Sequence, residues 1–217
     1  MTVQRRILLT PNHLTLSRLI LSVGVFIPLG LYSPSSPSAK YLLDLAVILF
    51  LIAGGTDLVD GYLARKYKME SSLGRILDPF VDKVLICGTF IYLAGANFSS
   101  PDPVESLTGI TPWMVVLIIA REFLITALRG FSESRGVAFA ATVFGKVKMF
   151  LQSATIVAIL ITLAHFHHAH WARLLRLAFI WPMVIFTLLS MLSYLSRAAG
   201  VMVDEKPQEA SADDVAS

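Results

Sequence analysis

Four aspartates, Asp57, Asp60, Asp78 and Asp82, fall in one stretch, TDLVDGYLARKYKMESSLGRILDPFVDK, from Thr56 to Lys83. Residues three or four apart on a helix share a face. Asp57, Asp60 and Ala64 therefore form one stripe, and Gly74, Asp78 and Asp82 form another. The break between the stripes is short, so the two helices are expected to be antiparallel neighbours with four converging carboxylates. Such a cluster repels itself, or is driven to take up protons, unless positive charge compensates it. Two divalent cations would cancel four carboxylates, and all-oxygen ligation selects Mg²⁺ or Mn²⁺ over zinc. No Cys or His lies in the stretch to favour a softer metal. Two metals on carboxylates are also a device for displacement at phosphorus. The competing source of compensation is an internal ion-pair network with Arg65, Arg75 and Lys83.

The elements that must carry these residues are strongly apolar. Of 217 residues, 55% are hydrophobic and only 15% charged, with a mean hydropathy of +0.70. Soluble domains carry about 25% charged residues, so this chain cannot coat a globule of its size with polar surface. The single cysteine, Cys87, excludes an internal disulfide. Apolar stretches near the ~20 residues needed to cross a bilayer run from Leu14 to Tyr32, Tyr41 to Ala64, Leu73 to Ala94, Thr111 to Leu128, Val143 to Phe166 and Leu174 to Leu195. Pro34 and Pro37 punctuate the first break; Asn97, Pro101, Pro103 and Gly109 punctuate the third. The fold class expected is an all-α integral membrane protein with six transmembrane helices. One domain, 1–202, precedes a disordered acidic tail, 203–217.

Basic residues alternate between the two sides of these spans. Arg5, Arg6, Arg18, Arg65, Lys66, Lys68, Arg75, Arg129, Arg135, Lys146, Lys148, Arg197 and Lys206 gather on one side, while the other has Lys40, Arg173 and Arg176. The positive-inside rule then puts both termini in the cytoplasm, and the aspartates at the cytoplasmic edge of the cell (inner) membrane. Arg5, Arg6 and the following apolar run also resemble the parts of a signal peptide, but Asn12 and Arg18 sit where such a peptide has nothing polar. Burying even one aspartate in a span costs about 3 kcal/mol, so four of them argue for function. Gly61, Ala64 and Gly74 would let a flat ligand approach the backbone, although close helix packing uses small residues in the same way.

The spacing D-x2-D-G-x2-A-R-x8-G-x3-D-x3-D resembles the signature of the CDP-alcohol phosphatidyltransferase family. Asp57, Asp60, Gly61, Ala64, Arg65, Gly74, Asp78 and Asp82 match every fixed position. At average residue usage such a match arises by chance less than about once in a billion starts. Asn12, Thr15 and Arg18 resemble the family's N-terminal N-x2-T-x2-R pattern. The resemblance implies transfer of a phosphatidyl group from a CDP-linked lipid, CDP-diacylglycerol, to an alcohol with release of CMP. It implies two metals on Asp57, Asp60, Asp78 and Asp82, with Asp82 also the base on the attacking hydroxyl. Gly61, Ala64 and Gly74 would line the nucleotide pocket with Arg65 nearby, and the family implies a homodimer among membrane lipids.

The acceptor is read from the second half of the chain. Arg121, Arg129, Lys146 and Lys148 converge toward the same side as the aspartates. Arg121, inside an apolar helix beside Glu122, should face the bundle interior rather than lipid. Such cations suit a phosphate monoester, although Arg129, Lys146 and Lys148 also fit plain membrane anchoring. AREFLITALR and GKVK resemble the branch of the family whose acceptor is glycerol 3-phosphate, so these four cations are expected to hold the acceptor phosphate. Phosphatidylglycerol or inositol phosphate as acceptor, and divalent-cation transport, are the alternatives; nucleic acid is not an expected partner. His165, His167, His168 and His170 are expected to form a loop without a specific ligand, Asp44 to pair with Lys40 or reach for the interface, and Trp113, Trp171 and Trp181 to anchor the span ends.

Overall fold

The computed structural model describes residues 11–67, 72–99, 106–134, 143–167 and 169–203, and of these the side chains of 11–16, 57–67, 72–78, 133, 143, 144, 146 and 197–203 lie outside the description. Among the described residues the chain is all-helical. Six α-helices follow one another: α1 (Pro11–Leu31), α2 (Ala39–Tyr67), α3 (Ser72–Leu93), α4 (Pro112–Ser134), α5 (Val143–Phe166) and α6 (His170–Val203), with a short 3-10 turn at Ala96–Phe98. Each overlaps one of the six expected apolar stretches, with Tyr32, Ala94 and Thr111 falling one residue outside α1, α3 and α4. Three of them, Ala39–Thr56, Val147–Phe166 and His170–Ser196, are long and apolar enough to cross a membrane, and Ser17–Leu31 is a shorter apolar segment. Outside that set stand α3, with Asp78 and Asp82 in its first half and Lys83 at its middle, and α4, with Arg121, Glu122 and Arg129.

The helices are apolar on both sides. Leu29, Leu43, Phe90, Ile118, Ile156, Ile159 and Ile180 fill the interior at 1% exposure or less, while Ile20, Ile27, Val116, Phe123, Phe150 and Leu192 stand 62% to 73% exposed. A helix apolar all round belongs in a bilayer, where lipid covers its outer face. The same environment explains the hydroxyls. Ser22, Thr89, Thr155, Thr162 and Thr187 each donate to the carbonyl four residues back. Where no water is available, that bond satisfies a donor otherwise costly to bury.

Helices α1 and α3 pack closely because Gly88 lacks a side chain. The Phe26 ring lies so near that a Cβ at Gly88 would stand 2.2 Å from Phe26 Cζ. Phe26 also stacks on Tyr92, centroids 5.4 Å apart. At one end of the bundle the Asn97 amide donates to the carbonyls of Gly30 and Leu29, capping α1. Thr108 does the same for Leu93 at the end of α3, and Tyr32 stacks on Phe98. Gly109, at φ +81°, then turns the chain into α4, a backbone shape that favours glycine.

That end holds the starts of α2 and α6 with the last turns of α5. His165 meets Asp44 at 2.8 Å, and the buried Arg176 donates to Thr162 at 3.3 Å. The opposite end gathers the first halves of α1, α3 and α5 with the second halves of α2, α4 and α6. The aspartates, Arg129, Lys146 and Lys148 fall in this second end, and Arg121 sits near the middle of α4.

Candidate active site

The helices carry the aspartates at the expected intervals. Asp57, Asp60, Gly61, Ala64 and Arg65 lie in the second half of α2; Gly74, Asp78 and Asp82 lie in the first half of α3. Continuous helix through both segments keeps Asp57 with Asp60, and Asp78 with Asp82, on shared faces. Of these side chains only that of Asp82 falls within the description. Its carboxylate stands 3.9 Å from Arg18 Nη1, with Arg18 at 3% exposure and Asp82 at 32%. The last position of the N-terminal pattern is thereby joined to the last carboxylate of the aspartate set. Asn12 and Thr15 lie outside the described side chains. Pro79 sits between Asp78 and Asp82, and its missing N–H opens the α3 hydrogen-bond ladder there. Lys83 Nζ donates to the Pro79 carbonyl at 3.2 Å.

Among the described residues no three His, Cys, Asp or Glu side chains gather at one point. The metal reading therefore rests on donor chemistry and helix register. Four carboxylates on two helices form an all-oxygen set, which fits hard divalent cations.

The second cluster is described in atomic detail. Arg121, 5% exposed in α4, donates through Nη1 to Glu122 Oε1 at 3.0 Å and through Nη2 to Ser190 Oγ at 2.6 Å. Its guanidinium carbon stands 5.9 Å from the centroid of the Tyr194 ring. Lys148, 4% exposed in α5, donates to the same Glu122 oxygen. One carboxylate thus bridges cations from two helices, and α6 braces the guanidinium with Ser190 and Tyr194, four residues apart on one face. Arg129 is exposed, two turns further along α4, and Lys146 lies outside the described side chains. Helix α3, which carries Asp82, packs against both α4 and α5.

Arg121 thus faces the interior as its place in an apolar helix demands, and Lys148 joins it. The sequence reading placed Glu122 beside Arg121 but did not see it as the bridge. Ser190 and Tyr194 also went unread; their signal is a polar pair at i, i+4 in an otherwise apolar helix. Asp44 pairs with His165 rather than Lys40, so one member of the histidine tract has a defined partner. His168 lies outside the described residues.

The chain as a whole has counterparts among known proteins. The family model for CDP-alcohol phosphatidyltransferase matches residues 8–199. The chain is 32% identical over 199 residues to the CDP-diacylglycerol–glycerol-3-phosphate 3-phosphatidyltransferase of Bacillus subtilis (strain 168), covering 86% of this chain and 93% of that protein. It is 39% identical over 142 residues to the protein of that name from Rickettsia bellii (strain RML369-C), covering 65% of this chain and 69% of the relative. The counterpart from Shigella flexneri serotype 5b (strain 8401) is 32% identical over 203 residues, covering 90% and 97%. With the match running from before Asn12 to beyond Tyr194, the chain belongs to the CDP-alcohol phosphatidyltransferase family.

Proposed function

We propose that the chain transfers the phosphatidyl group of CDP-diacylglycerol to the 1-hydroxyl of glycerol 3-phosphate, giving phosphatidylglycerophosphate and CMP. The observation that carries this reading is the buried Arg121–Glu122–Lys148 cluster on α4 and α5, the helices against which α3 with Asp82 packs. Two cations sharing one carboxylate leave a net positive charge for a phosphate monoester, and Arg129 at the mouth adds another. The names of the relatives point to the same acceptor.

Asp57, Asp60, Asp78 and Asp82 would hold two divalent cations, Mg²⁺ or Mn²⁺, which would neutralise the diphosphate and polarise the phosphorus. Gly61, Ala64, Arg65 and Gly74 would border the nucleotide. Arg121, Arg129, Lys146 and Lys148 would hold the acceptor phosphate, so that its 1-hydroxyl points toward α3. Asp82 takes the hydroxyl proton. The hydroxyl oxygen bonds to the phosphatidyl phosphorus, and the bond from that phosphorus to the bridging diphosphate oxygen breaks. CMP departs with the electron pair. Six spans with both termini and the active end in the cytoplasm, in the cell (inner) membrane, follow from the distribution of basic residues. The homodimer implied by the family resemblance would cover part of the apolar exterior.

CMP release in mixed micelles, with CDP-diacylglycerol, Mg²⁺ and one acceptor at a time, tests the reaction. Release with glycerol 3-phosphate but not inositol phosphate, serine or phosphatidylglycerol is expected. Asp82→Asn should lower it at least about a hundredfold, the scale of a lost general base. Release with a different acceptor would overturn the reading of the cations. Metal uptake into sealed vesicles without CMP release would replace transfer by transport.

A further inference from the structure

Gln152, in α5, is fully buried, and among the described residues neither its amide oxygen nor its amide nitrogen has a hydrogen-bond partner. Other buried polar side chains are bonded: Thr89, Thr155, Thr162 and Thr187 to carbonyls of their own helix, Arg176 to Thr162, and Lys148 to Glu122. An amide left unpaired in an apolar interior is costly and calls for a partner not yet in place.

Its position says what that partner is. Gln152 lies four residues after Lys148, so the two share a face of α5, one turn or about 6 Å apart along the axis. Side chains on a helix lean toward its N-terminus, which for Gln152 is the end of α5 that carries Lys148. Arg121 Nε is likewise buried without a partner among the described residues, so open hydrogen-bonding capacity exists on α4 as well as on α5. An occupant of this space carries an anion for the cations and, within one helical turn, a neutral group that both donates and accepts. A hydroxyl two or three bonds from a phosphate ester oxygen has that chemistry.

We propose that Gln152 binds the secondary hydroxyl of a phosphorylated polyol acceptor, and so makes the enzyme selective for acceptors that carry it. The proposal rests on the acceptor reading above and deepens it. Lys148 and Arg121 fix the phosphate, Gln152 fixes the middle carbon, and the terminal hydroxyl is left as the nucleophile. An acceptor without the secondary hydroxyl would leave the amide unpaired in the complex too, which is the situation in which a polar pocket discriminates strongly.

The test compares glycerol 3-phosphate with propane-1,3-diol monophosphate, which lacks only the secondary hydroxyl, in wild type and Gln152→Met. Methionine keeps the volume and removes both polar atoms, so the fold should tolerate it and melting in detergent should be unchanged or higher. Wild type should favour glycerol 3-phosphate in kcat/KM by about tenfold to a hundredfold. Gln152→Met should lose that preference through a higher KM for glycerol 3-phosphate, with turnover of the diol phosphate nearly unchanged. Equal losses on both acceptors, or no change on either, would overturn the role. Gln152→Asn supplies a second variant that keeps the amide but shortens its reach, and it should restore part of the preference. Wild-type turnover of glycerol 3-phosphate is the arm that stands or falls with the proposed reaction. The change in the ratio between acceptors is the arm that stands or falls with Gln152.

Discussion

At the residue scale the site depends on charges that hold one another in place away from water. Glu122 is the hinge of this arrangement, because Arg121 and Lys148 both donate to its Oε1. Glu122→Ala would leave two buried cations facing each other, and losing one partner of a buried ion pair costs about 3–5 kcal/mol. A clear drop in detergent melting temperature is expected, measured beside Glu122→Gln, which keeps an accepting oxygen and should lose less. Arg121→Lys makes a separate case. Lysine keeps the charge but cannot reach Glu122 and Ser190 with one planar group. The KM for glycerol 3-phosphate should rise about tenfold while the protein stays folded; an unchanged KM would remove Arg121 from the acceptor site. The interior placement of Arg121 was legible in the sequence because ionised groups in apolar runs are rare and expensive. Glu122 as a bridge, Ser190 and Tyr194 were not, since their roles depend on which helices meet, and α4 and α6 come together only in three dimensions.

At the element scale the helices follow from apolar run length, and α5 has the bounds Val143–Phe166 that its sequence predicts. The reading fails where polar residues are buried with partners. Helix α6 starts at His170 rather than Leu174 and continues to Val203, and Arg176 is accommodated because Thr162 of α5 accepts from it. Helix α4 runs past Leu128 to Ser134, where the Ser134 hydroxyl donates to the Phe131 carbonyl. The closeness of α1 and α3 was not legible at all, because Gly88 reads as a generic small residue until Phe26 is seen lying on it. The same two helices bring Arg18 beside Asp82. Gly88→Ala should therefore cost about 1–3 kcal/mol, as overpacked cores do, and should lower activity with it. Gly88→Ala combined with Phe26→Leu should recover much of both. Full activity and stability in the single variant would show that the close packing does not hold the site.

At the scale of the whole molecule the two ends are chemically different. One is tied by neutral caps, by Asn97 and Thr108, and by the His165–Asp44 pair; the other carries the aspartates and buried cations. The account puts the second end in the cytoplasm, where a soluble phosphorylated acceptor is found. Cysteines placed at exposed Ser35 and at exposed Ser134, in a Cys87→Ser background, test this with a membrane-impermeant maleimide on intact cells. Ser35→Cys should label directly and Ser134→Cys only after permeabilisation; the reverse pattern would invert the topology. The central claim concerns the fate of the acceptor. The most direct measurement supplies purified protein with ¹³C-labelled glycerol 3-phosphate and CDP-diacylglycerol, then weighs the lipid product by mass spectrometry. The account predicts that the labelled glycerol phosphate appears in a phosphatidylglycerophosphate, one per CMP released. CMP released with no label in lipid would mean that water or another alcohol is the nucleophile, and would contradict it.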